Sequence, residues 1–368
     1  MKKMYFASLG LSLLCSQSAF SQELPDPDGK PADVTKPVKV FIIMGQSNTL
    51  EMGNVKGEKD GSLEKATKQE NLYGFLTDAD GKWTIRKDVR NVSVMQKGAN
   101  MNVYRNDWLT VSGAKVGIEI GIGHQLGNAI EEPVMILKSS IGNRGLGWDL
   151  LPPGSERYLA EFTDKAGNKT SKVMAGYRDK PDMWDADATK GVATPPPAEW
   201  LDKKGKPINW NAGKQYDDDV ANAKAVLADL AKYYPEATKY EIAGFLWWQG
   251  DKDRYNEAHA ANYGKNLVNL IKALRKEFNA PNAPFVCATL GQTAKESKSG
   301  NDGLIFDGQM SVDGETGKYP EFKGNVATVY THPLSMGGAS NGHYNNNAKT
   351  YMNVGLAMGE AMAKLLKK

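Results

Sequence analysis

Cysteine, histidine and unbalanced charge are scarce in this sequence. Only two cysteines, Cys15 and Cys287, occur in 368 residues. Cys15 falls in a leading segment, so the trimmed chain holds one thiol. An internal disulfide is then excluded, and the core must hold without a covalent staple. Lysine and arginine total 46 against 43 acids, for a net charge of +3. A balance this flat gives no electrostatic reason to expect a nucleic acid or an anionic membrane surface as partner. The chain lacks a phosphate-binding glycine loop, an H-E-x-x-H helix and a cysteine pair spaced for a metal, so neither a metal nor an organic cofactor is expected. It shows no internal repeat and no clean linker. With 40% hydrophobic and 24% charged residues, the composition excludes disordered, collagen-like and channel-forming classes.

Residues 1–21 have the form of a secretory signal. Lys2 and Lys3 precede an apolar run over 9–14, and the segment ends in Ala19-Phe20-Ser21. The run is too short to anchor in a bilayer, so no membrane association is expected after its removal. Leu14 stands where a lipoprotein signal would place a small residue before Cys15, which disfavours lipidation. Removing the segment leaves a net charge of +1. A secreted or periplasmic bacterial protein is expected. Residues 22–37 are polar and rich in proline and aspartate and are read as a flexible lead-in.

From residue 38 onward, apolar runs alternate with helical stripes. Buried strands are expected at 38–44, 134–138, 241–248, 285–290 and 326–330. Helices are expected at 118–130, at 217–234, around Leu267–Phe278 and at 348–366. Residues 57–71 read as a loop or a weak helix. Residues 164–214, with the triplet Pro195-Pro196-Pro197, read as a long surface insertion. The pattern predicts one doubly wound, three-layer α/β domain over 38–368, with a parallel sheet of about five strands. In such sheets ligands bind beyond the carboxyl ends of the strands.

Chemistry is therefore sought just after each strand. The first is followed by Gly45-Gln46-Ser47-Asn48. A serine on a tight turn there is either a helix cap or an exposed nucleophile whose own N–H can join an oxyanion hole. The second leads into Ser139-Ser140-Ile141-Gly142-Asn143-Arg144-Gly145, a loop whose backbone donors either bind an oxyanion or simply make a turn. The third leads into Trp247-Trp248-Gln249-Gly250-Asp251-Lys252-Asp253, where the tryptophans are either sugar platforms or core. Of four histidines, His124 and His259 fall in helical patterns and read as structural. His332 and His343 follow the last strand, and His343 precedes the final helix, within reach of the sheet edge. The sequence Gly338-Ala339-Ser340-Asn341-Gly342 matches a nucleophile pattern by letter, but does not run from a strand directly into a helix.

Taken in order, these blocks resemble the SGNH-type hydrolases, and more closely the acetylesterases of carbohydrate esterase family six and sialate O-acetylesterase-like domains. The blocks are Gly45-Gln46-Ser47-Asn48, Gly117-Ile118-Glu119-Ile120-Gly121, the loop at Gly142, the Trp-Gln-Gly-x-x-Asp stretch at 248–253, and His343. The resemblance implies Ser47 as nucleophile and His343 as general base. It implies an oxyanion hole from the Ser47 and Gly142 N–H groups, with Asn143 beside them, and the Gln249 amide. Glu119 is read as a buried structural carboxylate. Three departures stand out: Asn143 replaces a glycine, Ile118 a proline, and Ser340 the aspartate three residues before the histidine. The acid that orients His343 must then come from Asp251, with Asp253 as runner-up, or be missing. Trp247, Trp248 and Trp148 are the candidate sugar platforms. The implied activity is removal of O-acetyl groups from a polysaccharide or sialic acid. Two alternatives remain at this point: a sugar-binding protein that has lost catalysis, and an esterase for other acyl groups.

Overall fold

Residues 29–367 are described in a computed structural model. The expected signal over 1–21 and residues 22–28 of the lead-in lie outside them. Among the described residues no helix is long and apolar enough to cross a membrane.

The central sheet is built from β1 (Val38–Gly45), β2 (Arg86–Lys97), β3 (Asn100–Leu109), β4 (Val134–Ser139), β5 (Tyr240–Trp248), β6 (Phe285–Ala288) and β7 (Val326–Val329). Their spatial order is β7-β6-β5-β1-β4-β2-β3. Every neighbouring pair is parallel except β2 and β3, which form an antiparallel hairpin. The sheet thus has seven strands rather than about five. The hairpin escaped the sequence pattern because β3 is an edge strand with mostly solvated side chains and β2 begins with the charged run Arg86-Lys87-Asp88. Antiparallel edges tolerate such polarity where buried parallel strands do not.

Five helices cover the two faces: α1 (Glu119–Ala129), α2 (Lys214–Ala228), α3 (Glu257–Glu277), α4 (Gly300–Ser311) and α5 (Ala348–Leu366). Alternate residues of β1 explain why both faces need cover. Val40, Ile42 and Met44 pack with α2, α3 and α4 residues such as Val220, Leu267 and Ile305. Phe41 and Ile43 pack with Ile122 of α1 and Met358 of α5. Each face buries more than a dozen large apolar side chains, at roughly 1.5–3 kcal/mol apiece before the entropy of ordering them.

Between β4 and α2, three short antiparallel strands (Tyr158–Thr163, Lys169–Met174 and Met183–Asp185) form a small separate sheet. Leu151, Val173, Ala175, Trp184 and Ala212 give it its own apolar cluster. The region thus has regular pairing that its irregular composition did not announce. The α2 helix begins at Lys214 and stops at Ala228, and a separate turn covers Leu230–Tyr233.

The strand order reverses direction between β1 and β5. From β1 the chain moves out to the β2–β3 hairpin and comes back through α1 to β4 on one face, whereas from β5 it passes through α3 to β6 on the other. Such a reversal opens a crevice beyond the carboxyl ends of the two strands.

Candidate active site

Gly45 ends β1 at the mouth of that crevice. Its φ is +154°, and a β-carbon there would lie 2.6 Å from the Trp248 carbonyl oxygen. Only glycine lets β1 turn this close to β5. The turn puts Ser47 at the start of a short 3₁₀ segment, Ser47–Thr49. No hydrogen bond among the described residues engages the Ser47 hydroxyl or the backbone N–H groups of Ser47, Gly142 and Asn143. A β-carbon built on Gly142 would lie 3.6 Å from Ser47 Cβ, so the loop after β4 faces the serine directly.

A cleft of about 550 Å³ opens here. Ser47, Gly142, Asn143, Asp251 and His343 all line it. The structure thus gathers five of the sequence-predicted residues from four separate places in the chain. The other histidines lie elsewhere. His124 is buried, and burial with the nearby Arg86 lowers its pKa to about 3, so it is neutral. His332 holds the Gly291 carbonyl through Nδ1 at 2.8 Å. His259 sits 3.1 Å from Asp182.

His343 is presented by an unusual piece of backbone. His343, Tyr344, Asn345 and Asn346 all have φ between +50° and +57°. None is glycine, so the turn is strained and must be held by its surroundings. Tyr344 is fully buried and stacks on Trp248 with ring centroids 5.6 Å apart. Its hydroxyl accepts from the Gly291 N–H at 3.1 Å. Lys115 Nζ donates to Asn346 Oδ1 at 2.9 Å, and the Tyr351 hydroxyl donates to the His343 carbonyl at 3.3 Å.

The two candidate acids are sorted by their partners. Asp253 is fully buried and accepts from the Leu146 N–H at 2.8 Å, the Gly147 N–H at 2.6 Å and Gln249 Nε2 at 2.6 Å. Burial holds its pKa above the ordinary aspartate value although these donors and His259 pull it down. It is a clamp on the 145–147 loop and does not line the cleft. Asp251 does line it. Its Oδ1 accepts from the Ser340 hydroxyl at 2.7 Å and lies 3.6 Å from Arg254. Its Oδ2 has no hydrogen-bond partner among the described residues. Ser340, which replaces the expected aspartate, therefore reaches the carboxylate that could substitute for it. No hydrogen bond joins His343 to Asp251 or Asp253.

Two further expectations are corrected. The Gln249 amide does not point a free N–H into the cleft. Its Nε2 faces Gln46 Oε1, the Arg144 carbonyl and Asp253, at 3.1, 2.9 and 2.6 Å. Two amide hydrogens are fully used by three such acceptors. Trp247 and Trp248 are not sugar platforms. Both are completely buried, their indole N–H groups donating to the Tyr263 hydroxyl and the Thr289 carbonyl. Trp148 is half-buried and packs edge-on to Trp200, and it does not line the cleft.

Three contributors were missed from the sequence. Gln46 accepts from Gln249, and from the Lys252 N–H at 3.2 Å, tying the turn after β1 to the turn after β5. Its place inside the Gly-Gln-Ser-Asn block was the available signal. Tyr255 lines the cleft, only four residues beyond Asp251. Ser340 reads in the sequence as the replacement of an aspartate and as a match by letter to a nucleophile pattern, and neither reading makes it a partner of Asp251.

Beneath the site, Glu119 accepts from Lys138 Nζ at 2.8 Å and from the Gly117 N–H at 2.9 Å. Both charged side chains are almost fully buried. Burial pushes the Lys138 ammonium pKa down, but Glu119 and its neighbours more than reverse this, so the net shift is upward.

Residues 201–364 match a family described as SASA, a carbohydrate esterase, sialic acid-specific acetylesterase family. That segment includes Gln249, Asp251, Asp253 and His343, and excludes Ser47 and Gly142. A 72-residue stretch is 33% identical to a probable carbohydrate esterase of Arabidopsis thaliana, covering 20% of this chain and 26% of that protein. The chain thus matches about a quarter of that relative's length. Among solved structures, an Arabidopsis thaliana protein aligns at TM-score 0.46 and 14% identity, over 89% of this chain and 98% of the other. A carbohydrate acetylesterase from Xanthomonas citri aligns at 0.45 and 12%, over 87% and 55%. NanS aligns at 0.41 and 12%, over 84% and 80%.

Proposed function

We propose that this chain, whose residues 201–364 match the carbohydrate esterase, sialic acid-specific acetylesterase family, is an exported esterase that removes O-acetyl groups from an acetylated carbohydrate, with Ser47 as nucleophile. The observation that carries the reading is the convergence of Ser47, Gly142, Asn143, Asp251 and His343 on one cleft at the strand reversal.

The Ser47 hydroxyl oxygen attacks the acetyl carbonyl carbon as His343 takes its proton. The carbonyl oxygen gains the electron pair and is held by the unengaged N–H groups of Ser47, Gly142 and Asn143. Collapse breaks the bond to the sugar oxygen, which takes the proton from His343. Water then gives a proton to His343 and attacks the acetyl-serine, and acetate leaves with Ser47 restored. Asp251 stabilises the His343 imidazolium through its free Oδ2 once substrate closes the cleft. Unliganded geometry often leaves such hydrogen bonds long. Gln249 and Asp253 act from behind, fixing the loop that carries Gly142. Export follows from the order of basic, apolar and small residues over 1–21.

Acetate release from p-nitrophenyl acetate and from acetylated xylan tests this. Ser47→Ala is expected to lower turnover by on the order of 10⁶-fold. Turnover that survives in that variant sinks the proposal. The missing His343–Asp251 hydrogen bond favours one second reading, a sugar-binding protein without catalysis. Wild-type protein that binds acetylated sugar but turns over no ester would establish it.

A further inference from the structure

The turn between β5 and α3 has two sides. Asp251 and Asp253 are buried, while Lys252 and Tyr255 are exposed. Tyr255 is 65% exposed, more than any other large hydrophobic side chain among the described residues. A tyrosine ring on the lining of a cleft, apolar across its face and polar at its hydroxyl, is suited to a partner that covers it.

The ring is also held ready. The Arg254 guanidinium carbon lies 5.4 Å from its centroid. Arg254 is in turn fixed by Asp302 at 3.2 Å. The backbone of the turn is pinned by hydrogen bonds from the Lys252 N–H to Gln46 and from the Asn256 N–H to the Asp253 carbonyl, at 3.2 and 3.0 Å. Asn256 then caps α3, accepting from the Ala258 and His259 N–H groups. An aromatic side chain with two rotatable bonds, on backbone this fixed, loses little entropy when a ligand covers it.

We propose that Tyr255 is the specificity-determining residue of the cleft, the face on which the sugar ring stacks while its acetyl group reaches Ser47. The proposal rests on the esterase reading and deepens it. The C–H face of a pyranose matches an aromatic plane. The acetyl group of a simple aryl ester needs no such support, so Tyr255 separates acetylated sugars from small activated esters.

The test has two arms. In the first, the Ser47→Ala protein, which leaves substrate intact, is titrated calorimetrically with an acetylated xylo-oligosaccharide and with an O-acetylated sialic acid. Adding Tyr255→Ala is expected to weaken binding of the preferred sugar about tenfold, with Tyr255→Phe restoring it. Tyr240→Ala, an exposed ring at the far end of the sheet, serves as the control and is expected to leave affinity unmoved. In the second arm, Tyr255→Ala is made in the otherwise native chain. The ratio of kcat/KM on acetylated oligosaccharide to kcat/KM on p-nitrophenyl acetate is expected to fall about tenfold, mainly through KM. Equal affinities, an unmoved ratio, or no binding of either sugar by the Ser47→Ala parent overturns the platform. An inactive wild type that still binds sugar through Tyr255 overturns the esterase reading and leaves the platform standing.

Discussion

At the amino ends of the strands a groove of about 990 Å³ runs between residues such as Lys39, Tyr240, Phe278 and Pro284. At the carboxyl ends the cleft is about 550 Å³, yet it holds Ser47, Asp251 and His343. The larger space carries no serine, cysteine or histidine. Reactive side chains gather by the way strands end, not by the volume available. β1 and β5 leave the sheet through Gly45 and Gly250, turns that bring backbone donors and polar side chains together. At the amino ends the chain enters its strands through segments such as Pro281-Asn282-Ala283-Pro284, which pack but present no reactive group.

The sharpest way to break this contrast is kinetic and lies within the carboxyl end. Asp251→Asn is expected to lower kcat by on the order of 10⁴-fold, as loss of a charge beside a catalytic histidine does. Asp253→Asn is expected to lower it by on the order of 10², through a displaced 145–147 loop. Steady-state kinetics of both variants checks this, and equal losses would erase the distinction between acid and clamp.

A second comparison sets one ion pair at each end against the other. Glu119→Gln strands the buried Lys138 ammonium and is expected to cost about 3–5 kcal/mol. Glu241→Gln removes the partner of Lys39 at 2.6 Å, but Glu241 is 57% exposed. The expected cost there is about 0–1 kcal/mol. Denaturant unfolding of the two variants decides it, and similar midpoints would mean that burial does not separate the pairs.

The smallest effect concerns pH. Burial lowers the His259 pKa, but Asp182 and the nearby Asp253 raise it further, for a net upward shift. A raised histidine pKa stabilises the fold fully below the unfolded value near 6.5, and the contribution disappears as pH rises through the folded value. Thermal melts are therefore expected to fall slightly between about pH 6 and 8. Asp182→Asn should flatten that fall, and an unchanged slope would remove His259 as its source.

Much of this was written in the local sequence. The five buried parallel strands read as apolar runs because burial on both faces demands them. Ser47 and His343 were legible because each follows a strand and stands in a short distinctive block. The β2–β3 hairpin was not, since half of its surface is solvated. Nor was α4, which contains Gly300, Gly303 and Gly308. Gly308 is there for contact, since a β-carbon on it would lie 2.8 Å from the Gly264 backbone of α3. The tryptophans misled for a related reason. Their side of the sheet is set by register, and aromatic identity alone says nothing of which end of a ring meets water.

The turn that carries His343 has a thermal consequence. Four consecutive left-handed residues hold roughly 1–2 kcal/mol of strain each, so this segment sits well above its relaxed state while the sheet beneath it does not. It stays loaded as long as Tyr344 remains wedged against Trp248 and Lys115 and Tyr351 keep their hold on the turn. Such a spring releases locally, long before the strands part. Heat resistance of the fold and heat resistance of the cleft are therefore two different properties of this chain, and the second is set by the few side chains that anchor one turn.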